Sequence, residues 1–191
     1  MHPRHTPSIQ AQHFEAGFTA IELMVVVAIV ATLAALAGPS FTLLIENWRV
    51  RESAELLQDT LVYERSEAIK RGGHVVVQKL PNNTNGCSTA DETSKWNCGW
   101  MVCHDTNDSG TCTAADPVLQ RVASSAKVEV RRTRGGESIK LNRWGLVSGS
   151  WPGFNLVPLN KTISYSGALG VCMNSGGRVR IISQEALPCT N

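Results

Sequence analysis

Residues 17–37 read Gly-Phe-Thr-Ala-Ile-Glu-Leu-Met-Val-Val-Val-Ala-Ile-Val-Ala-Thr-Leu-Ala-Ala-Leu-Ala, an apolar run interrupted by one carboxylate, Glu22. At about 1.5 Å per helical residue the run is roughly 30 Å long, which matches the hydrocarbon core of a bilayer. A carboxylate inside such a segment is costly in lipid and usually has a functional partner. The run therefore predicts a transmembrane helix, and Glu22 is its first candidate functional residue.

The start of this run resembles the processing site of type IV prepilins, in which Gly17 is followed by the segment 18–23, Phe-Thr-Ala-Ile-Glu-Leu. The resemblance implies that a prepilin peptidase cleaves after Gly17 and that the new amino group of Phe18 is methylated. It also implies that Glu22 neutralises the Phe18 amine of a neighbouring subunit during assembly. Residues 1–17 would then be a leader peptide that is removed.

Two alternatives involve no prepilin processing. An ordinary secretory signal could be cleaved after the small-residue pattern Ala35-Leu36-Ala37, and a simple single-pass anchor would have no polymerising role. An ordinary signal has an apolar core of about 7–15 residues, shorter than the run seen here, and a positively charged start. The leader has only Arg4 as a firm positive charge, and the run contains Glu22, so the prepilin interpretation is favoured.

The helix is predicted to continue beyond the apolar run. Gly38-Pro39 should loosen it, because proline lacks a backbone donor and clashes with the preceding turn. Helical spacing then resumes and should end at Gly72-Gly73. Its apolar stripe is Phe41, Leu44, Ile45, Trp48, Leu56, Leu57, Leu61, Ala68 and Ile69. We expect residues 18–38 to form the transmembrane half and residues 39–72 the amphipathic half.

Short β-branched runs separated by turn residues follow, which predicts antiparallel strands. Eight strands are expected, at residues 74–80, 99–104, 118–122, 128–132, 139–142, 162–165, 169–174 and 178–183. A helix followed by a sheet is an α+β arrangement. About 150 residues remain beyond the anchor, enough for one domain, so residues 73–191 should form a single globular β domain packed on the long helix.

Later segments resemble the FimT/GspH group of minor pilins and pseudopilins. They are the helix end Tyr63-Glu-Arg-Ser-Glu-Ala-Ile-Lys-Arg-Gly72, then Gly99-Trp-Met-Val102 with Asp105 and Asn107, and finally residues 172–180, Cys-Met-Asn-Ser-Gly-Gly-Arg-Val-Arg. The resemblance implies a pilin-like fold and a FimT-type minor pilin that joins or primes a type IV pilus. A GspH-type minor pseudopilin of a type II secretion system is the first alternative, and an ordinary secreted binding domain is the second.

The same resemblance implies a location and partners. The chain would cross the inner membrane once, contact lipid through its N-terminal helix, and hold its globular domain in the periplasm. Its partners would be other pilin or pseudopilin subunits and the prepilin peptidase, with DNA as a further ligand. No cofactor and no metal are expected.

Six cysteines lie beyond the anchor, an even number that an exported domain uses for disulfides: Cys87, Cys98, Cys103, Cys112, Cys172 and Cys189. Six cysteines allow 15 pairings. Short loops favour pairing each cysteine with its neighbour in the sequence, which gives three local disulfides.

Charge is unevenly distributed along the chain. Residues 81–120 contain five acidic residues against Lys95 alone, whereas residues 121–180 contain ten basic residues against Glu129 and Glu137. This asymmetry suggests a surface that faces a polyanion, although solvated strand faces also collect Lys and Arg.

Gly177-Arg178-Val179-Arg180 is the basic motif that resembles FimT-type pilins that bind DNA for uptake. On a strand, Arg178 and Arg180 project from one face, with bases roughly 6–7 Å apart, while Val179 and Ile181 face the core. Each guanidinium could bind one phosphate. A basic hairpin used for packing or subunit contacts is the alternative.

Other site chemistries have weaker support. Cys103-His104-Asp105 has the residue types of a nucleophile, base and orienter, but neighbouring strand residues alternate faces. Zinc binding through Cys98, Cys103, His104 and Cys112 would lack the paired Cys-x-x-Cys spacing of zinc knuckles. Residues 105–116 superficially follow a calcium loop, but flanking helices are missing and the last ligand is Asp rather than Glu, so a turn that needs no ion is favoured. Trp96, Trp100, Trp144 and Trp151 are expected in the core or on sheet faces rather than as base-stacking residues.

Overall fold

The computed structural model describes residues 17–190, and within helix α1 it leaves the side chains of residues 36–40 undescribed. Almost all of the expected leader, residues 1–17, therefore lies outside the described residues. The elements are α1 (Ala20–Arg71), β1 (Val75–Lys79), β2 (Trp100–His104), β3 (Val118–Val122), β4 (Val128–Arg132), β5 (Ser138–Leu141), β6 (Gly153–Pro158), β7 (Leu169–Met173) and β8 (Val179–Ser183), with short 3-10 turns at Thr84–Gly86 and Gln184–Ala186. The chain divides into two units, Met1–Phe41 and Thr42–Asn191.

The first unit contains the beginning of α1. Thr19 caps the helix, because its Oγ1 accepts a hydrogen bond from the backbone N–H of Glu22 at 3.3 Å. The apolar side chains that follow are exposed, from Ile21 (72%) to Leu33 (61%). Among the described residues, no helix reaches the combination of length and hydropathy that a membrane crossing requires.

The other end of α1 is fixed by two glycines. Gly72 has a φ of +74°, and the N–H of Gly73 donates to the carbonyl of Ala68 at 2.7 Å. A residue with positive φ followed by a hydrogen bond to the carbonyl five residues earlier is a Schellman motif. It satisfies a carbonyl that has no hydrogen-bond partner within the helix. The helix therefore ends at Arg71, directly before the glycines, as predicted.

Eight antiparallel strands form two four-stranded sheets in the second unit. Sheet A has the order β3-β2-β1-β5, and sheet B has the order β4-β6-β7-β8. The edge of β4 is extended by residues 94–96, since Trp96 N–H donates to Val130 O and Arg132 N–H donates to Ser94 O, both at 2.8 Å. The α+β prediction, with a long helix packed on antiparallel sheets, is confirmed.

One core lies between the helix and the inner faces of both sheets. The helix contributes buried side chains at helical spacing, and the sheets contribute alternate residues of their strands. Trp100 joins the two by donating from Nε1 to Thr60 Oγ1 at 2.9 Å. The buried helix residues are Val50, Ala54, Leu57, Leu61 and Ala68.

Seven predicted strands are present within one or two residues, and one prediction is wrong. Residues 162–165 form a turn, closed by Tyr165 N–H donating to Thr162 O at 3.0 Å. The strand that the sequence analysis did not predict is β6. It begins at Gly153 and ends at Pro158, and glycine and proline are typical of loops. Phe154 and Leu156 are nevertheless fully buried, so tertiary packing decides this segment rather than local propensity.

Candidate functional site

The turn between β7 and β8 positions the predicted basic motif. Asn174 closes it in three ways: its N–H donates to Arg178 O (3.1 Å), its carbonyl accepts from Gly177 N–H (2.9 Å), and its Oδ1 accepts from Arg178 N–H (2.9 Å). Local side-chain bonds of this kind are the reason asparagine is favoured in turns. The backbone of Arg178 is thereby fixed just before β8 begins.

Arg178 and Arg180 lie on the outside of sheet B. Both are exposed, while Val179 and Ile181 between and beyond them pack against the core cluster. The two arginines line one small cavity of about 160 Å³ together with Asn174 and Thr190. No carboxylate lies within 4.0 Å of either guanidinium among residues 17–190. Both charges are therefore available to an external anion.

Gly177 has a packing role that the sequence did not reveal. Its φ is +76°, and a Cβ there would lie 2.9 Å from the backbone oxygen of Gly145 and 3.0 Å from Arg65 Cζ. The Nη1 of Arg65 donates to the carbonyl of Gly177 at 3.0 Å. Glycine is thus required so that the turn can approach the helix, independently of any ligand.

The C-terminal segment crosses the outer face of sheet B. Cys189 forms a disulfide with Cys172, which faces Arg180 in the strand register. Two glycines make room for the segment: a Cβ on Gly153 would lie 3.0 Å from Cys189 Sγ, and one on Gly170 would lie 2.6 Å from Leu187 Cδ2. Cys172 lines the same cavity as Arg178 and Arg180, so the disulfide ties the C-terminal segment to the edge of that cavity.

The basic half of the sequence is less basic in space than its composition suggests. Arg131 pairs with Glu92 and Glu129, and Lys140 pairs with Asp108 at 2.7 Å. Arg132 is buried over the Trp96 ring and donates from Nη1 to two backbone carbonyls, while burial lowers its pKa to about 10. The guanidinium groups without an acidic partner among residues 17–190 include Arg134, Arg143, Arg178 and Arg180.

The three disulfides join Cys87 to Cys98, Cys103 to Cys112, and Cys172 to Cys189, which are the local pairs favoured by the sequence. Because Cys103 is bonded to Cys112, it has no thiolate to act as a nucleophile. The zinc alternative loses its sulfur ligands for the same reason. No cluster of three metal-binding side chains occurs in the part of the chain that the structure describes.

The acidic loop at residues 105–116 uses its carboxylates to hold itself together. Asp105 is buried and accepts from the N–H groups of Ser109 (2.9 Å) and Gly110 (2.7 Å). Asp116 accepts from the N–H and hydroxyl groups of both Thr106 and Thr113, and these bonds lower its pKa. Donors of the loop itself thus hydrogen-bond to both carboxylates.

The tryptophans divide into two groups. Trp96 and Trp100 are fully buried in the core, as expected. Trp144 is 70% exposed and lies in a turn, so the expectation of a core or sheet-face position is wrong for Trp144, while Trp151 is 38% exposed. Trp144 lies in a tight turn after β5. The side chain of Asn142 accepts hydrogen bonds from the backbone of this turn, which holds the turn in place with the indole exposed.

The predicted processing site lies in the first unit. Phe18 is 85% exposed and directly precedes Thr19. Glu22 is exposed in the first helical turn, where a carboxylate also interacts favourably with the helix dipole. These positions leave cleavage, methylation and the assembly role of Glu22 as predictions.

Comparison with known proteins shows a family and a fold. The family model described as "Type II transport protein GspH" matches residues 53–177, more than half of the chain. No curated protein sequence matches significantly. Two crystal forms of the type IV minor pilin FimU from Pseudomonas aeruginosa PAO1 share 18% identity with this chain, at TM-scores of 0.53 and 0.54. They align over 71% of this chain and over 94% and 90% of theirs.

A third similar structure is the minor pseudopilin EpsH from the type 2 secretion system of Vibrio cholerae, with 13% identity, a TM-score of 0.48, and coverage of 71% of this chain and 97% of that one. The FimU likeness supports the pilin-like fold alone, because its identity is low. The family match is independent of the exposed arginines, since it stops one residue before Arg178. The chain belongs to the GspH family, and therefore to the type IV pilin-like proteins of the FimT/GspH group.

Proposed function

We propose that this protein is a FimT-type minor pilin that joins or primes a type IV pilus and also binds DNA without sequence preference, as natural transformation requires. The observation that carries DNA binding is the pair Arg178 and Arg180, which are exposed, line one cavity, and have no acidic partner among residues 17–190. Arginine forks fit phosphate oxygens, and phosphate contacts carry no sequence information. A subunit of this kind has no catalytic role.

The assembly part of the proposal rests on the N-terminal sequence. The prepilin peptidase would cleave between Gly17 and Phe18 and methylate Phe18, and Glu22 would bind the Phe18 amine of a neighbouring subunit. The exposed apolar side chains at the start of α1 would contact lipid or other pilin helices. On this proposal, residues 18–38 would lie in the inner membrane and residues 73–191 in the periplasm, with residues 39–72 between them.

A second candidate is a GspH-type minor pseudopilin of a type II secretion system, which the description of the matched family favours. Both candidates share the processing site and the fold. They differ in whether the protein binds DNA, because a pseudopilin has no need of a phosphate-binding surface.

DNA binding by the purified full chain in mild detergent tests the proposal. Binding should weaken with salt, and each phosphate contact contributes about 0.9 to the slope of log affinity against log salt on duplex DNA. Replacing Arg178 and Arg180 together by Gln should remove most binding and flatten the slope by about 2.

The matched control replaces Arg51 and Lys95 by Gln. It removes the same net charge, but both of these side chains are already paired with carboxylates. This control should bind nearly as the unmodified protein does. Absence of binding at low salt, or equal loss in the control, would put the secretion pseudopilin ahead.

A further inference from the structure

We propose that the DNA ligand is single-stranded and that Trp144 stacks on one of its unpaired bases. The inference rests on the proposed function and names the substrate class of that same surface. Trp144 is 70% exposed, the most exposed of the five tryptophans, although tryptophan is highly buried on average. An exposed indole beside cations can stack on a ligand that has a flat aromatic face.

The turn that carries Trp144 is well braced. Asn142 Oδ1 accepts from the N–H groups of Trp144 (2.9 Å) and Leu146 (3.1 Å), and Asn142 O accepts from Gly145 N–H (2.9 Å). These bonds fix the backbone on both sides of the indole. Holding an aromatic residue on a braced turn reduces the ordering that binding would otherwise require.

This turn touches the turn that carries Arg178. The oxygen of Gly145 lies 2.9 Å from the position of a Cβ on Gly177, and Arg65 is packed against both glycines. Trp144 directly precedes Gly145, and Arg178 directly follows Gly177. The backbones of Trp144 and Arg178 are therefore each one residue away from the contact between Gly145 and Gly177.

The charge around this contact suits a polyanion. Residues 138–183 contain no Asp or Glu, but Asp108 pairs with Lys140 at 2.7 Å, so the arginines near this contact without an acidic partner among residues 17–190 are Arg143, Arg178 and Arg180. Arg143, the residue before Trp144, is exposed and has no carboxylate within 4.0 Å among the described residues. An exposed aromatic residue flanked by unpaired arginines is the arrangement that binds single strands, where phosphates meet the cations and bases stack on the ring. A duplex cannot use the ring in this way, because its base faces are already stacked.

Fluorescence anisotropy with the full chain in mild detergent tests the inference, with labelled oligo(dT) and a duplex of the same length, about 20 nucleotides. The unmodified protein should prefer the single strand. Trp144→Ala should weaken oligo(dT) binding by about five- to 150-fold, which corresponds to the loss of one base-stacking contact. Binding to the duplex and the salt slope should change little, because no phosphate contact is lost.

Two further variants separate stacking from folding. Trp144→Phe keeps an aromatic face, so it should retain most of the affinity for the single strand. Because the indole is gone, oligo(dT) should quench the tryptophan fluorescence of this variant less than that of the unmodified protein. Trp48→Ala removes another exposed tryptophan, 66% exposed and about 25 Å from Arg65 along α1, and should leave binding and quenching unchanged.

The outcomes distinguish this inference from the function on which it rests. If the unmodified protein binds neither probe, the proposed DNA binding fails and stacking fails with it. If it binds both probes and Trp144→Ala binds oligo(dT) normally, DNA binding stands and stacking is overturned. Equal loss on duplex and single strand in Trp144→Ala also overturns stacking, since only unpaired bases can use the ring.

Discussion

Arg65 Nη1 on the long helix donates a hydrogen bond of 3.0 Å to the carbonyl oxygen of Gly177, 112 residues further along the chain. This contact fixes the turn before β8 against the helix, and that turn in turn positions Arg178 and Arg180. The geometry of the basic motif thus depends on Arg65, which the sequence analysis identified only as part of the end of the helix.

Gly177→Ala should destabilise the domain by about 1–3 kcal/mol, the cost of holding a side-chain-bearing residue in a left-handed conformation. The backbone oxygen of Gly145 at 2.9 Å from the new Cβ adds to this cost, because backbone cannot easily move aside. Urea denaturation measures the loss. Gly176→Ala is the matched control, since its Cβ would meet only Asn174 Oδ1 at 3.5 Å. Equal stability of the two variants would contradict the packing role.

Glu64 should make the protein less stable as pH rises. Its side chain is fully buried, and neither carboxylate oxygen has a hydrogen-bond partner within the described part of the chain. Burial raises the pKa of Glu64 well above its usual value, and the Val77 backbone and the charge of Arg132 offset only part of this. Above the unfolded pKa the unfolded state loses its proton first, so stability falls with pH until the folded pKa is reached.

Glu64→Met should remove this pH dependence and stabilise the protein at neutral pH by about 1–3 kcal/mol, the cost of a buried unsatisfied polar group. Denaturation at several pH values measures both effects. Glu67→Gln is the comparison, because hydrogen bonds from Arg71 and Lys70 lower the pKa of Glu67. The ionised Glu67 side chain stabilises the fold above the pKa that Glu67 has in the unfolded chain, and this stabilisation is lost as pH falls through its lower pKa in the folded state. A stability profile of Glu64→Met that matches the unmodified protein would refute the account of Glu64.

Removal of the Cys172–Cys189 disulfide should free the C-terminal segment. This bond closes a separation of 17 residues, and the chain-entropy model gives about 3 kcal/mol for a loop near this size. Replacing both cysteines by Ser should lower the melting temperature and expose residues 184–190 to proteolysis. The same change at Cys87 and Cys98 should lower stability without exposing that segment. Equal protection of the segment in both variants would count against this role.

Glu22→Gln should leave cleavage after Gly17 intact but prevent incorporation into the filament, because the variant lacks the charge that binds the Phe18 amine. Mass spectrometry of the mature N-terminus and immunoblotting of sheared filaments measure the two steps. Thr19→Val tests the alternative that Glu22 serves only the helix start, since it removes the Oγ1 cap at 3.3 Å and keeps the carboxylate. Normal incorporation of Glu22→Gln, or an N-terminus at Gly38, would contradict the prepilin assignment.

The sequence by itself determined the features that depend on local order along the chain. The apolar run with Glu22, the helix end at Gly72-Gly73, and seven of the strands follow from periodicity and from the turn residues between them. The local disulfide pairs follow because short loops favour neighbouring cysteines. The family resemblance was equally readable, because its motifs are short and contiguous.

Only the tertiary structure decided the features that depend on contacts between distant segments. Strand β6 exists because Phe154 and Leu156 are buried between layers, despite the prolines beside it. Glu64 is buried and Trp144 is exposed, the reverse of what each residue type usually prefers, because the sheets pack over the Glu64 side of α1 and the backbone around Trp144 is fixed by Asn142. Which arginines lack an acidic partner in the described part of the chain is likewise set by which carboxylates fold against them, and no one-dimensional pattern contains those distances.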